Sequence, residues 1–111
     1  MTVIPLTRSN EFWSLTPGLE YVVIGVDHES YRVVDDKGAP ILFPREGFRV
    51  VDETIPQDWI WDRQSDDEYY GGPESLQTAG FYEDYFDGKP EAIEQFTQYL
   101  QHHGIVPRKI A

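Results

Sequence analysis

Five short runs of β-branched and aromatic residues, each bounded by turn residues, occupy the first half of this chain and constrain its fold more than any other feature. Val, Ile, Tyr, Phe and Trp favour strands, and such runs between Gly, Pro, Asn or Asp are typical of them. The segment Asp36-Lys37-Gly38 predicts a tight hairpin turn, because Gly accepts the positive φ that such a turn requires. The five predicted strands are Glu20–Val26, Tyr31–Asp35, Pro40–Phe43, Phe48–Val51 and Trp59–Trp61.

One helix is predicted near the C-terminal end, from Pro90 to about His103. Pro suits the first helical turn, where its missing N–H would be unpaired in any case, and Gly104 provides a C-terminal stop. Apolar side chains recur there with helical spacing and predict a stripe that covers the strands. The stripe consists of Ile93, Phe96 and Leu100, flanked by Ala92 and Tyr99.

Between the strands and the helix lies an acidic segment with little apolar periodicity. We expect Asp66 to Pro73 to form an exposed loop, because consecutive carboxylates are costly to bury and Gly-Gly-Pro interrupts regular structure. The segment Phe81 to Phe86 fits either a helical turn or a short strand, and its periodicity does not decide between them. Phe81 and Phe86 are expected to lie in the core.

The spacing of the strands resembles that of the SH3-like small barrels over residues 17–61. The likeness rests on Pro17 to Val23, Tyr31 to Gly38, Ile41 to Pro44 and Phe48 to Val51. It implies a five-stranded barrel. Eukaryotic SH3 domains also carry an Ala-Leu-Tyr-Asp-Tyr start and a Pro-Tyr peptide groove, and this chain has neither. Recognition of proline-rich peptides is therefore not implied.

The predicted fold is α+β and mainly β: an SH3-like barrel, an irregular acidic segment, and a C-terminal helix packed on the barrel. A chain of 111 residues suits one domain built around one core. Its predicted parts are a lead-in at 1–16, the barrel at 17–62, the acidic aromatic segment at 63–89, the helix at 90–104 and a tail at 105–111.

The net charge of -11 is confined to one stretch of the chain. From Asp52 to Glu94 there are thirteen acids and only two bases, Arg63 and Lys89, whereas the remaining residues hold seven of each sign. Phosphate backbones and anionic membranes are bound by clustered Lys and Arg. The charge therefore argues against direct binding to nucleic acid or to a membrane, and favours a basic protein partner.

Motifs for catalysis and for cofactors are absent from the sequence. With no Cys there is neither a disulfide, a thiolate nucleophile nor a thiolate zinc site. Gly-x-Ser-x-Gly, Walker and dinucleotide-binding motifs are missing, and the three His residues do not show His-x-x-His spacing. An EF-hand count from Asp62 places Asp67 sixth and Pro73 twelfth, where Gly and an acid are needed. We therefore expect no enzyme, no cofactor and no metal site.

A cytoplasmic location is expected, since the N-terminus lacks a signal-peptide pattern and no apolar run is long enough to cross a membrane.

Acids interleaved with aromatic residues form the candidate binding site. Such segments combine charge with large, rigid side chains, which is how interface hot spots are commonly built. Trp59 and Trp61 share one side of their strand, and at least one indole is expected to be partly exposed. The predicted binding residues are Trp61, Asp66, Asp67, Glu68, Tyr69, Tyr70, Tyr82, Glu83, Asp84 and Tyr85.

Three functional hypotheses follow. The first is a protein–protein binding module or inhibitor that docks its acidic face on a basic partner, such as a toxin or a nucleic-acid-binding protein; in size, acidity and lack of catalytic motifs the chain resembles bacterial immunity proteins. The second is a small enzyme or ligand-binding barrel, with Glu83 or Asp84 in a concave site beside His28 or His102. The third is a structural domain that forms a homodimer.

Overall fold

The computed structural model describes residues 1–6 and 13–106, which form seven β-strands, two α-helices and two 3-10 turns. The strands are β1 (Thr2–Pro5), β2 (Tyr21–Asp27), β3 (Ser30–Val34), β4 (Pro40–Pro44), β5 (Phe48–Asp52), β6 (Trp59–Arg63) and β7 (Tyr69–Pro73). The helices are α1 (Phe81–Phe86) and α2 (Pro90–His102). The 3-10 turns are Arg45–Gly47 and Glu74–Leu76. The fold is thus α+β and mainly β, as predicted.

All strand pairs are antiparallel and join in the order β4-β3-β2-β1-β5, with the β6–β7 hairpin attached to β2. One edge of β2 pairs with two other strands. Its start pairs with β1 through Val22 and Thr2, and its end pairs with β7 through Val26 and Gly71. The sheet does not close on itself. The hairpin therefore occupies the edge of β2 that β1 leaves open.

Both faces of β2 are buried, and each face belongs to a different core. Tyr21 and Val23 contribute to a first core within the strands, whereas Ile24 and Val22 contribute to a second core beneath the helices. The first core also contains Val3, Leu15, Tyr31, Val33, Phe43, Phe48 and Trp59. The second also contains Val34, Leu76, Phe81, Ala92, Phe96, Tyr99 and Leu100. Burial on both sides explains the continuous apolar run of β2.

The C-terminal helix is confirmed, and Gly104, with a φ of 66°, follows it. Its predicted apolar stripe is partly wrong. Ala92, Phe96, Tyr99 and Leu100 are buried, but Ile93 is 39% exposed. The helix is rotated so that the i, i+4, i+7 and i+8 positions starting at Ala92 face the core.

Five of the seven strands coincide with the five predicted runs, with ends that differ by one or two residues. Two strands were missed. β1 lies in the predicted lead-in, and β7 lies in the predicted loop from Asp66 to Pro73. The loop prediction is wrong for Tyr69–Pro73, because Gly71 and Gly72 permit close strand packing: an added Cβ at Gly71 would lie 2.4 Å from the Trp61 ring.

Candidate functional site

The three consecutive carboxylates Asp66, Asp67 and Glu68 lie in the turn of the β6–β7 hairpin and are exposed. Hydrogen bonds from the amides of Gln64 and Ser65 to the Glu68 carbonyl close this turn, at 2.8 and 3.1 Å. Asp66 lies 3.8 Å from Arg63, while Asp67 and Glu68 form no ion pair within the described ranges 1–6 and 13–106. The turn thus presents uncompensated negative charge to solvent.

Trp61 lies on the same hairpin, directly over Gly71. Its indole is 48% exposed, whereas that of Trp59 is only 7% exposed, so one of the two is partly exposed as predicted. The Trp61 ring is held at 6.0 Å from Trp59 and 6.2 Å from Tyr69. Ile60, which alternation places on the opposite face, is 44% exposed. The hairpin therefore offers apolar side chains on both faces, next to its acidic turn.

Tyr69 is half-buried and anchored to the rest of the fold. Arg45 donates a hydrogen bond of 2.9 Å to its hydroxyl, and the Arg63 guanidinium lies 5.2 Å from the centre of its ring. His28 approaches the same ring edge-on, with 6.4 Å between the ring centres. Tyr69 thus fixes the hairpin against the β2–β3 turn and presents little free contact area.

The two predicted acid-aromatic segments meet at Tyr70 and Tyr82, beside Arg32. The Arg32 guanidinium lies 3.8 Å from the centre of the Tyr82 ring and donates a hydrogen bond of 2.9 Å to the Pro40 carbonyl. Burial, reinforced by the Tyr70 hydroxyl, raises the pKa of Tyr82 well above its ordinary value. Tyr82 is half-buried and packs against the second core, with its ring beneath the Arg32 guanidinium.

The acids of α1 are placed differently from each other. Glu83 is exposed, whereas Asp84 is half-buried and pairs with Lys89 at 3.0 Å, which raises the pKa of that lysine. The half-buried Tyr85 packs edge-on against Phe96, with 5.2 Å between ring centres. Phe86 is 54% exposed, so its predicted place in the core is wrong. A six-residue helix presents only one stripe to the core, and Phe81 takes that position.

Several concave regions adjoin these residues. A 360 Å³ cavity lies between the β2–β3 turn and the hairpin and is lined by Asp27, His28, Asp62, Gln64, Glu68, Tyr69 and Tyr70. A 570 Å³ groove lies between β4 and α1 and includes Arg32, Leu42 and Phe86, which the sequence did not mark as contact residues. Phe86 was expected in the core, and the orientation of α1 exposes it instead.

Among the described residues, the concave regions that Glu83 lines do not include His28 or His102, the placement expected of the small carboxylate enzyme. The groove that Glu83 lines has no histidine among its described lining residues. His103 lies instead 3.6 Å from Asp58, at the end of α2. No group of three His, Cys, Asp or Glu side chains in the described residues is placed to hold a metal ion.

Comparison of the chain with protein-family models, with curated proteins and with solved structures finds no match. Among the helices of the described ranges, none has the length and apolar character needed to cross a membrane.

Proposed function

We propose that this chain is a protein–protein binding module that docks the turn and exposed faces of its β6–β7 hairpin on a basic partner. The observation that supports it best is Trp61, a half-exposed indole next to a turn of exposed carboxylates. Exposed tryptophans are enriched among the residues that dominate binding energy. A hairpin anchored through Tyr69 presents this side chain with little conformational entropy to lose on binding.

The charge balance supports a cationic partner. Only two of the thirteen acids between Asp52 and Glu94, Asp66 and Asp84, pair with Arg or Lys within the described chain, and Asp58 lies 3.6 Å from His103. Unpaired surface charge of one sign accelerates encounter with a partner of the opposite sign, and salt screens the effect over a Debye length of about 8 Å at physiological ionic strength. The partner we propose is a toxin or a nucleic-acid-binding protein, met in the cytoplasm, which this chain inhibits in the manner of an immunity protein.

For the scaffold, we propose an SH3-like arrangement of β1–β5. It is supported by the strand order β4-β3-β2-β1-β5 and by the 3-10 turn Arg45–Gly47 between β4 and β5. In this arrangement the first strand is Thr2–Pro5, and Trp59–Arg63 belongs to the added hairpin. The binding surface would then be an addition to these five strands.

Affinity capture from lysate of the native host, at low and high salt, tests the proposal. The wild-type chain should retain a basic protein at low salt and release it at high salt. A turn variant with Asp66→Asn, Asp67→Asn and Glu68→Gln should retain much less, because it removes three negative charges without adding bulk. Trp61→Ala should also weaken capture, by about tenfold or more in affinity if Trp61 is a hot spot.

A matched control removes the same charge elsewhere. Glu74, Glu91 and Glu94 are all exposed, and replacing each with Gln changes the net charge by the same three units. Capture by this control should exceed capture by the turn variant. The proposal fails if the retained proteins are neutral or acidic and insensitive to salt, or if the turn variant and the control behave alike.

A further inference from the structure

The groove between β4 and α1 has a lining rich in apolar side chains, although it lies on the surface of a strongly acidic chain. Leu42 on β4 is 44% exposed and Phe86 on α1 is 54% exposed, and both line the same 570 Å³ depression. Pro40 and Ile41 complete the β4 side. A volume of this order is within the range of sites that enclose small molecules or large side chains.

The charged groups of the groove favour a cationic occupant. Glu83 and Asp87, both exposed, contribute carboxylates from α1. The one basic residue of the described lining, Arg32, is engaged by the Tyr82 ring at 3.8 Å and by the Pro40 carbonyl at 2.9 Å. An occupant with positive charge beside an apolar group would complement this lining.

The open edge of β4 restricts how an occupant can bind. Backbone hydrogen bonds run from the Asp35 amide to the Ala39 carbonyl and from the Arg45 amide to the Glu29 carbonyl. The register of β3 against β4 is uninterrupted between these two pairs. In an antiparallel pair, hydrogen-bonded and non-hydrogen-bonded positions alternate, so positions 40, 42 and 44 of β4 direct their backbone N–H and C=O groups away from β3. Two of these are prolines, so only Leu42 offers an outward N–H. Prolines on an edge oppose the addition of another strand. We therefore expect an occupant to be recognised through side chains and not through an added strand.

We propose that this groove receives one large apolar side chain, Leu, Phe or Trp, flanked by Lys or Arg in a segment of the basic partner. This inference rests on the proposed function, since it supplies the apolar anchor of the same docking event. The flanking cations approach Glu83 and Asp87 while the apolar side chain contacts Leu42 and Phe86. The groove then binds an apolar side chain of the partner, while the hairpin turn binds its basic surface.

Titration of the ¹⁵N-labelled chain with two short peptides tests this. One peptide has Phe between two pairs of Lys, and the other has Ser in place of Phe. The Phe peptide should shift the amide signals of Leu42 and Phe86, and it should bind at least about tenfold more tightly than the Ser peptide. Leu42→Ser with Phe86→Ser should abolish this preference, whereas Ile93→Ser, at a similarly exposed apolar position on α2, should preserve it.

The outcomes separate the groove from the hairpin. If the Phe and Ser peptides bind equally, or the groove variant keeps the preference, the groove inference is wrong even when partner capture remains salt-sensitive. If the Phe preference maps to the groove while the turn variant captures the partner as well as wild type does, the groove stands and the hairpin proposal fails. Concentration-dependent dimers that Phe86→Ser abolishes would assign the groove to a second copy of this chain and overturn the inference.

Discussion

Replacing Tyr21 with Phe removes one hydroxyl from a buried network that ties the segment before β2 to the β3–β4 turn. That hydroxyl donates a hydrogen bond of 2.5 Å to a carboxylate oxygen of Asp36 and accepts one of 2.7 Å from the Thr16 amide. Tyr21 is 3% exposed and Asp36 is 5% exposed, so water does not readily replace either bond. The Thr16 hydroxyl, which donates 2.9 Å to the other carboxylate oxygen, is left in place.

The expected loss of stability follows from the two bonds. A hydrogen bond to a charged group contributes about 1.5–3 kcal/mol and a neutral one about 0.5–1.5 kcal/mol, so Tyr21→Phe should lower the free energy of unfolding by about 2–4.5 kcal/mol. Tyr85→Phe is the matched control. Its hydroxyl has no hydrogen-bond partner among the described residues, and we expect a change of less than about 0.5 kcal/mol.

Urea unfolding followed by tryptophan fluorescence measures both variants. With a urea m value in the middle of the usual range, about 2 kcal/mol/M, the midpoint of Tyr21→Phe should fall by about 1–2 M, while that of Tyr85→Phe stays near wild type. Equal midpoints for the two variants would refute the reasoning, because the buried hydroxyl would then contribute no more than a half-buried one. Partner capture by folded Tyr21→Phe should be unchanged, since this residue lies outside the proposed surface.

Three further predictions concern the hairpin, the tyrosines and the end of α2. Gly71→Ala should displace the Trp61 ring, because an added Cβ would lie 2.4 Å from it. The displacement should shift the tryptophan fluorescence maximum and weaken partner capture. An unchanged spectrum would contradict the close approach. Burial raises the pKa of Tyr82, and burial with the Asp58 charge raises that of Tyr99 to about 12. Because these phenols stay neutral in the folded state, their contribution to stability is full below about pH 10 and declines as the pH rises from there through the folded values. Absorbance at 295 nm should show these two tyrosines ionising at a higher pH in the folded chain than in the chain unfolded by urea. Gly104→Ala should cost about 1–2 kcal/mol, because Gly104 has a φ of 66°, and a cost near zero in urea unfolding would contradict that conformation.

Much of the fold could be predicted because local signals coincide with tertiary structure. β2 through β6 are marked by β-branched and aromatic runs, and α2 is marked by Pro90 and Gly104 at its ends. β1 has a similar composition, but it is only four residues long and ends at Pro5. β7 carries the opposite signal, since Gly71, Gly72 and Pro73 usually interrupt strands.

The missed features depend on contacts that are distant in sequence. Gly71 is required by the ring of Trp61 across the hairpin, which no local pattern reveals. Phe86 and Ile93 are apolar and look like core residues, yet α1 and α2 turn them outward while Phe81 and Phe96 fill the second core. The candidate contact residues share one composition, acids interleaved with aromatic residues, but the structure places them in different environments. Tyr69 and Tyr82 serve packing, whereas Trp61 and the acids of the hairpin turn reach solvent.

The rate of association with the captured partner tests the central claim most directly. Stopped-flow measurements over a series of salt concentrations should show a rate constant that falls steeply with ionic strength, because unlike charges steer the encounter. The variant with Asp66, Asp67 and Glu68 neutralised should associate more slowly and with a shallower salt dependence than the variant with Glu74, Glu91 and Glu94 neutralised. Association that is independent of salt, or identical in the two variants, would contradict docking through the acidic turn of the hairpin.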